Sequence, residues 1–211
     1  MPIKTTPPAR KKTCYVFLSE SYADWEIGLL MAGLNSSRAV EVLTFALTKD
    51  PVCSMGNLAV MADLSLQEVD PADVDLLVLT GSPLWEKGEN RALSGLIGRI
   101  LQLHKSIAAI SDSTLFMACY HADLAVTRDG HFITAGGPYP FQFARKIFKF
   151  FGLLDNEPFM EWYQQFQPRA TASLLSKDGL PAGSAIPITP IMRRLTAAAN
   201  FPTNRSAETH P

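Results

Sequence analysis

Apolar and polar positions along this chain change period repeatedly, and each change marks an element. Cys14 to Leu18 is a short apolar run, the pattern of a buried strand. Ile27, Leu30, Met31 and Leu34 then recur at helical spacing, with Asp24 placed to cap that helix. Val40 to Leu47 predicts a second strand, and Pro51 to Ala62 a small hairpin turning at Gly56-Asn57. Asp75 to Thr80 predicts another buried strand, and Leu93, Leu96, Ile97, Ile100 and Leu101 mark a long amphipathic helix. Ile107 to Ile110 is the next buried strand. Leu124 to Thr127 and Phe132 to Ala135 flank Asp129-Gly130, a hairpin signal. Pro140 suits a helix start, Ala144, Ile147, Phe148 and Phe151 give that helix an apolar face, and Gly152 suits its end. Phe159, Trp162, Tyr163 and Phe166 form a last stripe, which reads as core or dimer packing rather than a cofactor box.

Strands alternating with helices argue a mostly parallel sheet covered on both faces, an α/β three-layer sandwich of flavodoxin-like arrangement. The stretch that organises it runs from Ser106 to Met117. After the buried strand, Ser111, Asp112, Ser113 and Thr114 crowd together, each suited to a helix N-cap, and Leu115 to Ala118 continues as helix. A buried strand, a sharp turn and a helix make a nucleophile elbow, which lifts one side chain to the carboxyl end of the sheet. Ser111 stands at that tip. The local sequence alone favours a serine that merely helps to cap the helix, because strand-to-helix turns are common and nucleophiles are few.

Composition narrows the class. Of 211 residues 47% are hydrophobic and 18% charged, enough for a substantial core, and the net charge of −1 gives no call for nucleic acid. No apolar run approaches the roughly 18 residues of a membrane span. Residues 1–12 read as a loose leader, 13–167 as one α/β domain, and 168–211, rich in Ala, Thr, Ser and Pro, as a disordered tail. Cys14, Cys53 and Cys119 show neither metal-ligand spacing nor a disulfide framework, so a reducing cytoplasm is the expected home and no metal or other cofactor is expected.

Several strings, in this order and spacing, resemble one family. They are Ala23-Asp24-Trp25-Glu26, Ser54-Met55-Gly56, Thr80-Gly81-Ser82 with Trp85-Glu86, Ala109-Ile110-Ser111-Asp112-Ser113-Thr114-Leu115, and Asp129 to Ala135. The chain from about Thr13 to Phe166 is similar to the ThiJ/PfpI family, which has the class I glutamine amidotransferase-like fold. That resemblance implies Ser111 at the nucleophile position and Glu26 as the carboxyl that touches it. It also implies backbone N–H groups from Gly81, Ser82 and Asp112 around the reacting centre, with Trp85 at the pocket rim. Relatives act as peptidases, isonitrile hydratases, glyoxalase- or deglycase-like enzymes and stress chaperones, generally as dimers, so a homodimer with a small-molecule substrate or ligand is expected. Ala109-Ile110-Ser111-Asp112-Ser113 lacks the glycines of a true amidotransferase elbow, and glutaminase activity is not expected.

Three departures stand out. The family's elbow residue is cysteine, and here it is serine, by natural loss or by deliberate replacement. A thiol can be pushed to thiolate by its surroundings, whereas an alcohol needs a positioned base, and an ordinary carboxylate near pKa 4.3 is a poor one. The segment after the elbow is short and carries no Arg-His-Thr-like string, and His121 sits where the hairpin approach would be. Ser82 replaces the second glycine of a Gly-Gly turn, which puts that turn's backbone geometry in question. Two functions remain. One is an elbow hydrolase acting on a small carbonyl, amide or isonitrile. The other is an impaired member serving as a small-molecule-binding or stress-related structural protein.

Overall fold

The computed structural model describes residues 10–123 and 132–166, with the side chains of 119–123 also outside the description. The described residues lie within one compact unit, Met1–Gln167. Their strands and helices run β1 (Lys12–Phe17), α1 (Asp24–Ser37), β2 (Val40–Ala46), β3 (Val52–Cys53), β4 (Ala59–Val60), β5 (Leu64–Ser65), β6 (Leu76–Leu79) and α2 (Leu84–Lys87). Then come α3 (Ser94–Gln102), β7 (Ser106–Ile110), α4 (Ser113–Asp123), β8 (Phe132–Ala135), α5 (Pro140–Phe150) and α6 (Glu157–Gln164).

Among the described residues, six strands form one sheet in the order β5-β2-β1-β6-β7-β8, every described pair parallel. The chain winds outward from β1 through β2 to β5, then returns to β6 and winds the other way. The reversal between β1 and β6 opens a crevice at the carboxyl ends of these strands, where such sheets hold their ligands. The architecture is the flavodoxin-like α/β sandwich that the periodicity predicts.

Burial explains why β1, β6 and β7 read as continuous apolar runs: both faces of the sheet are covered. On one face Val16, Val78 and Ala108 pack under α1, α5 and α6 with Leu30, Leu34, Ile147, Phe148 and Phe159. On the other, Phe17, Leu77, Leu79 and Ile107 pack with Leu93, Ile97 and Ile100 of the α3 region. The aromatic stripe at the end of the domain is consumed largely by this core. Phe148 meets Phe159 and Tyr163 edge-on, at 5.0 and 5.5 Å between ring centres.

The structure corrects several local expectations. Phe132 to Ala135 is a strand as expected, and it also pairs parallel with β7, a partner its local pattern does not announce, with Ile107 opposite Phe132 and Ile110 opposite Ala135. The other arm of the expected hairpin, Leu124 to Thr127, lies outside the described residues, as do most of the leader and the tail from 168. Arg10 and Lys12, counted in the leader, are tied down: Arg10 pairs with Asp75 at 3.0 Å and Lys12 begins β1. The helix after β6 is shorter than its pattern suggests, because residues Glu89–Leu93 form a tight 3-10 turn ahead of α3. The Pro51–Ala62 hairpin is present, with Asn57 at φ 63° in its turn.

Candidate active site

β7 ends at Ile110, and the next residue carries the strain. Ser111 has φ 60°, the left-handed region that costs a side-chain-bearing residue about 1–2 kcal/mol. Such a conformation persists only where surrounding contacts over-determine it. The Ser111 N–H donates to Ala135 O of β8 at 3.0 Å, and the Ser111 carbonyl accepts from the Thr114 N–H and hydroxyl at 3.0 and 2.6 Å. Two residues on, Ser113 Oγ accepts from the Ile110 N–H at 3.0 Å and lies 2.7 Å from Ile110 O and 3.0 Å from Leu79 O. This buried hydroxyl fastens the elbow to the ends of both β7 and β6. Ser111 itself remains partly exposed, so the side chain at the tip is reachable.

Glu26 comes from the first turn of α1 and is 2% exposed. Its Oε2 accepts the Gly81 N–H at 2.9 Å, while the Gly81 carbonyl accepts the Ala23 N–H at 3.0 Å. The peptide groups of Gly81 are thus gripped on both sides by the start of α1. The Ser111 side chain stands beside the same carboxylate, both meeting the position a Cβ on Gly81 would take. Burial pushes the Glu26 carboxyl above its ordinary range, the Gly81 N–H and the Ser111 side chain pull it partly back, and the charge of Asp112 raises it again. Asp112 is itself raised, by burial and then by Glu86. Ser111 and Glu26 therefore lie in negative surroundings.

Of the residues singled out in sequence, Ser111, Glu26 and Gly81 meet. A Cβ on Gly81 would lie 2.4 Å from Glu26 Oε2 and 2.8 Å from Ser111 Cβ, so the position admits no side chain. The role expected of Gly81 changes, because its single N–H hydrogen is spent on Glu26 and does not face a reacting oxygen. The N–H groups of Ser82 and Asp112 meet no hydrogen-bond acceptor among the described residues. Ser82 keeps a negative φ, so the turn never needs the glycine that serine replaces. Its buried hydroxyl donates to Glu20 O at 2.8 Å, accepts from the Leu84 N–H at 3.1 Å, and lies 3.2 Å from Ser19 Oγ, which Asn90 holds in turn.

Two further expectations shift. Trp85 is core rather than rim: it is 5% exposed, its indole N–H donates to Thr80 O at 2.7 Å, and its ring packs between Phe17 and Phe116. Asp24 makes no cap bond at α1, because as the first helical residue it points instead to the hairpin, where it accepts the Gly56 N–H at 2.7 Å. The loop after β8 enters the site unannounced by the residue chemistry. A Cβ on Gly137 would lie 2.9 Å from Ser111 Oγ and 3.2 Å from Glu26 Oε1. Its signal was the breaker string Gly136-Gly137-Pro138 directly after a strand.

His104 precedes β7 and so sits at the opposite end of the sheet from Ser111; the side chains of His121 and His131 lie outside the described residues. Cys14 is fully buried and its thiol is pushed far up by burial, while Cys53 is half-buried on β3. Among the described residues no group of three His, Cys, Asp or Glu could hold a metal ion, and no helix is long and apolar enough to cross a membrane.

Comparison with known proteins agrees with this fold. Residues 12–121 match the DJ-1/PfpI family, and the chain belongs to it. It is 26% identical over 186 residues to the "Uncharacterized protease YoaZ" of Bacillus subtilis (strain 168), covering 71% of this chain and 88% of that protein. The crystal structure of the DJ-1 superfamily protein Atu0886 from Agrobacterium tumefaciens is 30% identical, with a TM-score of 0.63 over 77% of this chain and 99% of that one. The thiJ/pfpI family protein from Bacillus anthracis shares the fold at 22% identity, with a TM-score of 0.64 over 79% and 96%.

Proposed function

We propose that this DJ-1/PfpI member is an elbow hydrolase-type enzyme acting on a small electrophilic carbon, as in a carbonyl, amide or isonitrile. The observation that carries the reading is the strained, partly exposed Ser111 standing beside a buried carboxyl whose affinity for protons is raised. A raised carboxyl is a better base than an ordinary one, which narrows the mismatch between carboxylate and alcohol. In the step, Glu26 takes the Ser111 proton as Oγ bonds to the carbon, and one electron pair of the carbon's double or triple bond moves onto its oxygen or nitrogen. The N–H groups of Ser82 and Asp112 receive that charge. Glu26 then returns the proton to the departing or developing anion; a water that gives its proton to Glu26 next attacks the carbon held on Ser111, the bond to Oγ breaks, and that proton passes to Oγ to restore the hydroxyl. The B. subtilis relative, described as a protease, is in keeping with acyl chemistry.

The test is turnover of a panel of small aldehydes, amides and isonitriles by the full chain and by Ser111→Ala. Loss of turnover in Ser111→Ala supports the reading, and equal turnover removes Ser111 from the chemistry. A second reading, a ligand-binding member without turnover, is favoured by the negative surroundings of Ser111, since Asp112 and Glu86 oppose an anion forming there. Under it, the same panel gives saturable binding and no product. A homodimer in a cytoplasmic setting belongs to both readings, and light scattering of the purified chain tests the dimer.

A further inference from the structure

Two glycines approach the Ser111–Glu26 pair from different directions. Gly81 faces Glu26 Oε2 and the Ser111 Cβ, and its own N–H explains why it must be there. Gly137 faces the other edge, Ser111 Oγ and Glu26 Oε1. No hydrogen bond explains its closeness, and it does not have the positive φ that makes glycine obligatory elsewhere. Its neighbour Gly136 would carry a Cβ without conflict, the nearest atom being a ring carbon of Tyr139 at 3.6 Å. The loop is held against the elbow by the Ser111 N–H to Ala135 O bond and closed by the Tyr139 N–H to Gly136 O bond, both 3.0 Å. The bare Cα of Gly137 is therefore pressed against the two reacting groups by contacts on either side of it.

We propose that Gly137 is a positioning residue of this site: its bare backbone walls in the edge of the pair formed by Ser111 Oγ and Glu26 Oε1, and so fixes the rotamer of Ser111 and keeps water from between the two. This deepens the reading of Ser111 and Glu26 as the reacting pair and rests on it. A methyl group at 137 turns the side chain at 111 away or displaces the loop, and either change opens the pair to water. The same methyl at 136 does neither.

The experiment uses the full chain with Ser111→Cys as a reporter, alone and combined with Gly137→Ala or Gly136→Ala. The thiol is titrated by its thiolate absorbance, with Ser111→Ala as the background for the other cysteines. The groups that bear on this thiol are Glu26, Asp112 and, through Asp112, Glu86, and none of them is altered. Gly137→Ala is expected to move the thiol pKa by about one unit, as loss of a specific hydrogen bond or of burial does, and Gly136→Ala to leave it in place. The same pKa in all three proteins overturns the proposal. A reporter that titrates at the ordinary thiol value of about 8.5, yet still moves with Gly137→Ala, overturns the nucleophile reading and keeps the positioning role. Should Gly137→Ala fold poorly, its melting temperature is compared with that of Gly137→Ala/Ser111→Ala, in which the 2.9 Å conflict with Oγ is gone. Recovery of several degrees is the expected result, and an equal penalty in both backgrounds overturns the proposal.

Discussion

The turns after β6 and β7 lie side by side at the carboxyl end of the sheet, and each leads from a buried strand into a helix. Each is locked by one buried serine hydroxyl: Ser82 binds Glu20 O and the Leu84 N–H, and Ser113 binds Ile110 and reaches Leu79 O. They differ in where the backbone is strained. The β6 turn runs through Gly81 and Ser82 with ordinary φ, while the β7 turn places a side-chain-bearing residue at φ 60°. The first turn is a socket, shaped to receive α1 and the Glu26 carboxylate. The second is a pedestal that holds up one hydroxyl at a cost in stability. Strain confined to one of two otherwise similar turns points to use rather than to a folding necessity.

The sharpest way to break the contrast is to fill the socket. Gly81→Ala sets a methyl against Glu26 and Ser111 and is expected to cost about 3 kcal/mol in a denaturant titration, with the site disrupted. Ser82→Gly removes a buried hydroxyl and is expected to cost about 1–2 kcal/mol, although glycine occupies this place in relatives of the kind it resembles. Ser111→Gly is expected to go the other way. Release of left-handed strain is offset by the added freedom of glycine, leaving a gain of between zero and about 1 kcal/mol, with the hydroxyl chemistry gone. If Ser111→Gly proves as costly as Ser82→Gly, the distinction between socket and pedestal fails.

The smallest effect is one of pH. The folded state raises the Glu26 carboxyl above its unfolded value near 4.5, so between the two values the folded protein holds more protons than the unfolded one. The stability this group contributes is complete below the unfolded value and is lost as the pH rises through the folded value. Glu26→Gln does not titrate, keeps an acceptor for the Gly81 N–H, and is expected to gain on the parent progressively above about pH 4.5. Melting temperatures of the two proteins across pH 4 to 8 check this, and parallel curves would contradict it.

Much of this was legible in the sequence, for a physical reason. A strand buried on both faces writes itself as an unbroken apolar run, and Ile107 to Ile110 ending in a crowd of short polar residues specifies both strand and turn. The pairing of Ser111 with Glu26 came through resemblance, since Asp24-Trp25-Glu26 alone reads as an acidic first helical turn. What stayed hidden was non-local. Asp129-Gly130 is a strong local signal ahead of Phe132 to Ala135, but nothing local announces that strand's parallel partner, which lies more than twenty residues upstream. β5 is two residues long and has no period to detect. Trp85 passes for a rim residue until Phe17 and Phe116 close around it. Gly137 acts by having nothing to show, and only coordinates reveal what it touches.

The bond from the Ser111 N–H to Ala135 O has a dynamic consequence. It is one rung of the β7–β8 ladder carried past the end of the strand and into the elbow. Among the described residues β8 ends the strand order of the sheet, and strands at the end of a sheet open at lower free energy than the central ones. Exchange of the Ser111 amide proton with solvent is thus governed by the opening of β8, not by fraying of α4. A strand four residues long, remote in sequence from the elbow, sets how often the pedestal collapses.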